Sequence, residues 1–197
     1  MAGEPQMPAP ASHDSRLTYD DFLLFPDDGK RHEIIDGVHY VTPSPNLRHQ
    51  ELVLRLALEI GSFLKAHPEV GRLFIAPLDV VLSYHDVVEP DLLFVGADQT
   101  EILTPANIHG APALVVEIFS KSTRKKDAQT KRRLYERTGV REYWLVDPEL
   151  DLVQVFRRTD EGRYVRAAEL SAEEGHALTT PLIDGCAIDL RDLFRPS

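Results

Sequence analysis

Residues 113–147, ALVVEIFSKSTRKKDAQTKRRLYERTGVREYWLVD, contain two apolar runs separated by a charged segment. The runs, residues 114–119 and 142–147, have the length and continuous apolarity typical of strands covered on both faces. The segment between them predicts a helix over residues 124–138 that ends at Gly139. A strand–helix–strand order of this kind indicates an α/β protein whose central strands are buried.

The sequence on the N-terminal side adds helices and hairpins. Asp36-Gly37 lies between two β-prone runs and predicts an antiparallel hairpin of residues 31–35 and 38–42. Apolar residues at helical spacing predict a helix over residues 46–67, capped by Asn46 and ended by Pro68. A shorter helix is expected to start at a Thr18 cap and run through Phe25.

The remaining segments complete the predicted architecture. Residues 72–83 and 87–96 are interpreted as a second hairpin, and residues 100–112 as a loop with at most one helical turn. A further hairpin is expected around residues 160–162, then a strand near Cys186 and a last helical turn. We therefore expect an α/β (α+β) fold with a mixed sheet flanked by helices. Residues 1–15 are expected to be a disordered tail and residues 16–197 a single domain.

Composition narrows the class of protein. The chain has 197 residues, 43% of them hydrophobic, and no apolar run approaches the roughly 18 residues of a membrane span. The N-terminus lacks a signal-peptide pattern, so we expect a cytoplasmic protein without membrane association. A single cysteine excludes an internal disulfide and a cysteine-based zinc cluster. Motifs for nucleotide binding, zinc proteases and serine hydrolases are absent, and no organic cofactor is expected.

Charge is distributed unevenly along the chain. The net charge of −10 argues against a general nucleic-acid coat, yet residues 121–141 carry nine basic and two acidic side chains. That segment is either a local polyanion-binding surface or a solvated helix face.

Two carboxylates lie in apolar runs where ionised groups are costly. Glu117 interrupts a predicted central strand, and Asp91 begins another apolar run. A divalent cation with oxygen ligands, Mg²⁺ or Mn²⁺, would hold both charges. The alternatives are a buried ion pair or a strand-end carboxylate at the rim of the sheet for Glu117 and, because Pro90 precedes it, a bulge or strand edge for Asp91.

The predicted helix after Glu117 carries further candidates. Asp127, Lys131 and Tyr135 have the spacing of one helix face, which can lie over the sheet beside Glu117. Lys131 there could steady a water nucleophile or phosphate charge. The alternative is an intrahelical pair of Asp127 and Lys131.

These segments together resemble a known family. RHEIIDG, VTPSPNLRHQ, EPDLLFV, APALVVEIFSKST and DAQTKRRLYERTGVREYWLVDP, in this order, are similar to the Uma2 family, also called DUF820. The resemblance runs from about residue 18 to residue 193. It implies a restriction endonuclease-like core with N-terminal β-hairpins, of the PD-(D/E)XK nuclease superfamily.

The resemblance also implies site residues. Asp91 and Glu117 would bind the metal, with the backbone carbonyl of Ile118, and Glu33 would be the additional N-terminal acid. His49 is a candidate for binding or proton transfer, or alternatively a helix residue that faces solvent.

The catalytic lysine departs from the usual superfamily pattern. The superfamily places it two residues after the second acid, where this chain has Phe119. The resemblance implies a relocated lysine, Lys131, with Lys121 as the alternative.

Three functions follow as hypotheses. The first is a Mg²⁺- or Mn²⁺-dependent endonuclease, expected to be a homodimer. In it, Lys121, Arg124, Lys125 and Arg132 hold DNA phosphates. The second is a nuclease-like binding or assembly module with weak or no cleavage, favoured by Phe119 and the net acidity. The third is hydrolysis of another phosphorylated substrate.

Overall fold

A six-stranded mixed sheet forms the centre of the molecule in the computed structural model, which describes residues 16–120 and 126–196. The side chains of Lys126 and Asp127 also lie outside that description. So does the tail predicted over residues 1–15. The elements, in chain order, are α1 (Tyr19–Phe22), β1 (Arg31–Ile35), β2 (Val38–Thr42), α2 (Leu47–Ala66), β3 (Gly71–Ile75), β4 (Val80–Ser83), β5 (Asp86–Val88), β6 (Leu92–Gly96), β7 (Ile108–His109), β8 (Leu114–Ile118), α3 (Arg132–Thr138), β9 (Glu142–Asp147), β10 (Leu152–Arg158), β11 (Tyr164–Ser171), β12 (Ala177–Thr179), β13 (Ala187–Asp189) and α4 (Leu190–Phe194).

The central sheet has the strand order β11-β10-β9-β8-β6-β3. β8 and β9 run parallel and the other neighbours antiparallel, so the sheet is mixed. Every residue of β8 and β9 is buried. This agrees with their continuous apolar runs, because neither face of a strand covered on both sides is exposed to solvent.

Helices cover both faces of the sheet. Leu52, Leu56 and Ile60 of α2 pack against one face, in a core that includes Trp144. Tyr135, which follows the start of α3, belongs to the core on the other face. The prediction of a mixed sheet flanked by helices is therefore confirmed.

A second sheet of five strands, in the order β2-β1-β5-β4-β7, adjoins the first. β1 and β2 form the predicted hairpin, with Ile35 paired to Val38 across the turn. Asp36 and Gly37 have φ values of 52° and 75°, the left-handed backbone that this turn requires. The hairpin register places Arg31 and Glu33 on one face of β1, because successive side chains alternate.

The predicted second hairpin is wrong in its extent. β4 and β5 form a hairpin within the five-stranded sheet, whereas β3 and β6 pair with each other in the central sheet. Pro77 and Pro90 interrupt the two arms at the points where the chain changes sheets, because proline has no N–H for a strand ladder. This change of sheet places Asp91 at the junction between them.

Smaller differences concern short elements. α1 ends at Phe22, three residues earlier than predicted, although its Thr18 cap is confirmed. The helix predicted over residues 124–138 is a π-helical turn (Lys126–Lys131) followed by α3, and it ends at Gly139 as expected. β7 and β12 were not predicted; with three residues or fewer, they are too short for an alternating pattern.

No helix in the described part of the chain is long and apolar enough to cross a membrane.

Candidate active site

A cleft of about 240 Å³ opens where the two sheets meet the start of α2. Four acids line it, together with an arginine, a lysine and a histidine: Glu33, Glu89, Asp91, Glu117, Arg31, Lys131 and His49. Each acid is at most 9% exposed. Acids outnumber bases in a place where ionised groups are costly, and the cleft is therefore the most strongly charged buried feature among the described residues.

Asp91 and Glu117 lie beside the last paired residues of two adjacent antiparallel strands. Leu92 of β6 pairs with Val116 of β8; Asp91 directly precedes β6, and Glu117 follows Val116 in β8. The Ile118 backbone nitrogen lies 2.9 Å from Asp91 Oδ2 and so links the two segments at this end of the pair. Asp91 and Glu117 are both 3% exposed, so both are buried, and Asp91 lies in the break between β5 and β6 that contains Pro90.

The Asp91 carboxylate accepts three hydrogen bonds. Arg31 Nη1 lies 2.7 Å from Oδ1, while His49 Nε2 and the Ile118 backbone nitrogen lie 3.0 and 2.9 Å from Oδ2. Burial acts to raise the pKa of Asp91, but the hydrogen bonds from His49 and Arg31 outweigh it and hold that pKa below its usual value. Asp91 is therefore an ionised, oriented carboxylate.

Lys131 links the two other central acids. Its Nζ lies 2.7 Å from Oε1 of Glu117 and 2.7 Å from Oε1 of Glu33. The hydroxyl of Tyr135 donates to the same Glu117 oxygen at 2.7 Å. The predicted buried ion pair of Glu117 is therefore present, and the predicted helix face does bring Lys131 and Tyr135 to Glu117.

The position of Lys131 follows from the π-helical turn that precedes α3. A π turn adds a residue to the helical repeat and commonly occurs at functional sites. Arg132 and Arg133, the next two residues, line a separate groove on the far side of α3. One short stretch therefore supplies both the cleft lysine and two surface arginines.

Glu89 was missed by the sequence reasoning. Burial, with the nearby charges of Asp79 and Glu33, raises its pKa to about 7. Its backbone N–H donates to Glu33 Oε1 at 3.2 Å. Pro90, the next residue, indicates an irregular backbone but does not indicate that Glu89 is buried.

Arg31 was also missed, although the hairpin register contains the signal. It lies two residues before Glu33 on β1, and alternation sends both side chains to the same face. Only the tertiary fold places that face against Asp91.

The predicted site residues divide into three groups. The structure brings together six of them at the cleft: Glu33, His49, Asp91, Glu117, Ile118 and Lys131. His49 is 5% exposed, so the solvent-facing alternative is wrong. Arg132 lies outside the cleft. Lys121, Arg124, Lys125 and the side chain of Asp127 lie outside the described residues, as does the predicted Asp127–Lys131 pair.

The donor set fits a hard divalent cation. Two bases, Arg31 and Lys131, face four acids, and Mg²⁺ and Mn²⁺ prefer carboxylate oxygens. Across residues 16–120 and 126–196, however, no three His, Cys, Asp or Glu side chains form a ready metal-binding group. Arg31 and Lys131 instead pair with the acids.

The fold is that of a restriction endonuclease-like core. A crystal structure of a protein from Anabaena variabilis, described as a putative nuclease belonging to DUF820, has the same fold, with a TM-score of 0.75. The alignment covers 90% of this chain and 97% of that chain at 21% identity.

The sequence itself assigns the family. The Uma2 model, described as a putative restriction endonuclease, matches residues 19–191, and the chain therefore belongs to the Uma2 family. A comparison with curated proteins gives no match.

Proposed function

We propose that the protein is a divalent-metal-dependent endonuclease that hydrolyses DNA phosphodiester bonds at this cleft. One observation carries the proposal: two buried acids, Asp91 directly before β6 and Glu117 of the neighbouring β8, line one cleft, with Lys131 against Glu117. The family description and the nuclease-like fold support it.

Asp91 and Glu117 would hold Mg²⁺ or Mn²⁺, together with the backbone carbonyl of Ile118 and with Glu33 as a further ligand. When bound, such a cation acts as a Lewis acid on the phosphoryl group and lowers the pKa of a coordinated water. These roles use oxygen ligands alone, which is the donor type that the cleft offers.

The protein's own side chains would orient the reacting groups. Lys131 Nζ, held between Glu33 and Glu117, would orient the attacking water or donate to a phosphate oxygen. Tyr135 fixes the Glu117 carboxylate, and His49 fixes Asp91 through Nε2. His49 Nδ1 is buried without a hydrogen-bond partner among the described residues, so His49 is also a candidate for proton transfer.

Plasmid cleavage tests the proposal. Supercoiled plasmid is incubated with wild type and with the Asp91→Asn/Glu117→Gln variant in Mg²⁺, in Mn²⁺ and in EDTA. We expect nicked or linear products from wild type with a metal only, and none from the variant. The matched control is Asp98→Asn/Glu101→Gln, which neutralises an exposed Asp and Glu away from the cleft and should cut like wild type.

Circular dichroism and thermal melting show whether the Asp91→Asn/Glu117→Gln variant is folded. If it is folded but does not cut, the loss of cleavage comes from the cleft acids rather than from unfolding. Cleavage by the folded double variant at the wild-type rate would contradict the proposal.

A second candidate is a nuclease-like module that binds DNA without cutting it. The observation that favours it is Phe119, a 7% exposed apolar side chain two residues after Glu117, where the superfamily pattern has a lysine. DNA binding by wild type without cleavage in either metal would support this candidate.

A homodimer is the assembly we propose for a nuclease of this size that cuts both strands. Sedimentation equilibrium measures it directly, and a mass near 22.2 kDa at all concentrations would contradict it.

A further inference from the structure

A basic groove of about 530 Å³ lies between α3 and the β10–β11 hairpin. Arg132 and Arg133 come from the start of α3, and Arg163 and Arg166 come from the hairpin and its second strand. Glu136 is the one acid among the groove-lining residues that the structure describes. The chain has a net charge of −10, so its solubility does not depend on a local cluster of positive charge.

The arginines are available to an anion. Within the described part of the chain, no carboxylate lies within ion-pair distance of Arg132 or Arg133. Arg163 is 81% exposed and only 3.8 Å from Glu136, the outer limit of an ion pair. Arg166 pairs with Glu169 at 2.6 Å but stays 56% exposed. Exposed pairs of this kind contribute little and exchange readily for another anion.

The aromatic residues of the groove are not available for base stacking. Phe156 is 6% exposed, and the Arg132 guanidinium lies 5.0 Å from its ring centroid. The Tyr164 hydroxyl donates to the carbonyl of Val140 at 2.9 Å, and its ring packs against those of Tyr143 and Phe156, with centroid distances of 6.5 and 6.4 Å. Single-stranded nucleic acids are held largely by stacking on open aromatic faces, whereas duplexes are held through phosphates. The groove therefore fits the backbone of a duplex.

Consecutive residues at the start of α3 line the cleft and the groove. Lys131 points into the cleft, and the next two residues line the groove. Three strand spacings separate β8, which carries Glu117, from β11, or roughly 15 Å. A duplex anchored in the groove can therefore reach the cleft.

We propose that this groove is the anchoring surface for duplex DNA and that Arg163 and Arg166 contact its phosphates together with Arg132 and Arg133. The choice of DNA rests on the proposed function. The two arginines of the hairpin lie far in sequence from residues 121–141 and extend the predicted basic surface onto a second element.

Binding of a fluorescein-labelled 20-base-pair duplex, followed by anisotropy in EDTA over a series of KCl concentrations, tests the inference without any cleavage. The variant is Arg163→Gln/Arg166→Gln. The control is Arg72→Gln/Arg191→Gln, which removes the same charge from exposed positions on β3 and α4. All three proteins are first compared by thermal melting.

Each lost phosphate contact lowers the slope of log K against log salt by about 0.9. We therefore expect the groove variant to lose about two from that slope and on the order of ten-fold in affinity, while the control stays within about two-fold of wild type. Equal effects of the two variants, no duplex binding by wild type, or tighter binding of a single strand would each overturn the inference. If wild type binds the duplex through the groove but does not cleave DNA with Mg²⁺ or Mn²⁺, the endonuclease proposal is contradicted and the groove proposal is still supported.

Discussion

Lys131 connects Glu33 and Glu117, which lie 84 residues apart in the sequence. Its ammonium lies 2.7 Å from both Glu33 of β1 and Glu117 of β8, and it is 3% exposed. A cation in this position stabilises two buried carboxylates at once. Removing it leaves both without that charge, which is more costly than losing a surface ion pair.

Lys131→Met is therefore expected to lower the free energy of unfolding by about 3 kcal/mol at pH 8. Protonation of a carboxylate that has lost this cation relieves part of the deficit, so we expect the deficit to be smaller at pH 5.5 than at pH 8. Urea unfolding at pH 8 and pH 5.5 measures both values.

The control is Lys65→Met, an exposed lysine in the last turn of α2 that should change stability by less than about 0.5 kcal/mol. Wild-type stability of Lys131→Met at both pH values would contradict the bridging role.

Tyr135 gives a finer test of how Glu117 is held. Tyr135→Phe removes a 2.7 Å hydrogen bond to the Glu117 carboxylate and keeps the fully buried ring. We expect a loss of about 1.5 kcal/mol in stability and a clear fall in the rate of plasmid cleavage. Tyr19→Phe removes a 2.8 Å hydrogen bond with Asn107 away from the cleft, and it should leave the cleavage rate unchanged. Equal rates for Tyr135→Phe and wild type would refute the orienting role.

Residue types alone revealed part of this site. Asp91 and Glu117 stood out because a carboxylate in an apolar run needs compensation. Glu89 lies in the same apolar arm as Asp91, after Val87 and Val88, but was not singled out, and Arg31 lies at the start of a strand outside any apolar run. Their roles depend on the junction of the two sheets, which no local pattern describes.

At the scale of elements, local chemistry specified the β1–β2 hairpin well. Asp36-Gly37 adopts the left-handed backbone of the turn, and the five predicted pairs form. The pairing of β3 and β6 was not predictable in the same way. Both long arms read as continuous strands, and only their partners in the folded sheets decide where each arm is divided.

One ion-pair cluster ties these elements together. Asp86, at the start of β5, accepts hydrogen bonds from Arg137 of α3 and from the backbone N–H of Asp36 in the hairpin turn. Burial acts to raise the pKa of Asp86, but the hydrogen bonds from Arg137 and Asp36 outweigh it and lower that pKa. The carboxylate therefore joins two hairpins to the helix that carries Lys131.

A pH series should reveal this contribution. Because the folded pKa of Asp86 lies below the unfolded value of about 3.9, its stabilisation is complete above that pH and is lost as the pH falls through the folded pKa. We expect Asp86→Asn to cost about 2 kcal/mol at pH 7 and progressively less below pH 4.

Chemical denaturation across that range is the measurement. Asp98→Asn, which breaks an exposed 2.7 Å pair with Arg141, is the control with little cost. A pH-independent difference between Asp86→Asn and wild type would contradict this assignment.

At the scale of the whole molecule, acidic and basic side chains are concentrated in different places. The acidic chain buries an excess of carboxylates in one cleft and places four arginines in one groove. The fold class was predictable because the strand–helix–strand segment is long and strongly patterned. The relation between cleft and groove was not, because Arg163 and Arg166 meet α3 only through the pairing of β10 and β11.

The central claim is that the cleft carboxylates bind a divalent cation. Calorimetric titration of Mn²⁺ into wild type, Asp91→Asn/Glu117→Gln and Asp98→Asn/Glu101→Gln tests it most directly. We expect saturable binding by wild type and by the exposed-acid control, and no binding heat from the folded cleft variant. Equal Mn²⁺ binding by wild type and the cleft variant, or none by wild type, would contradict it.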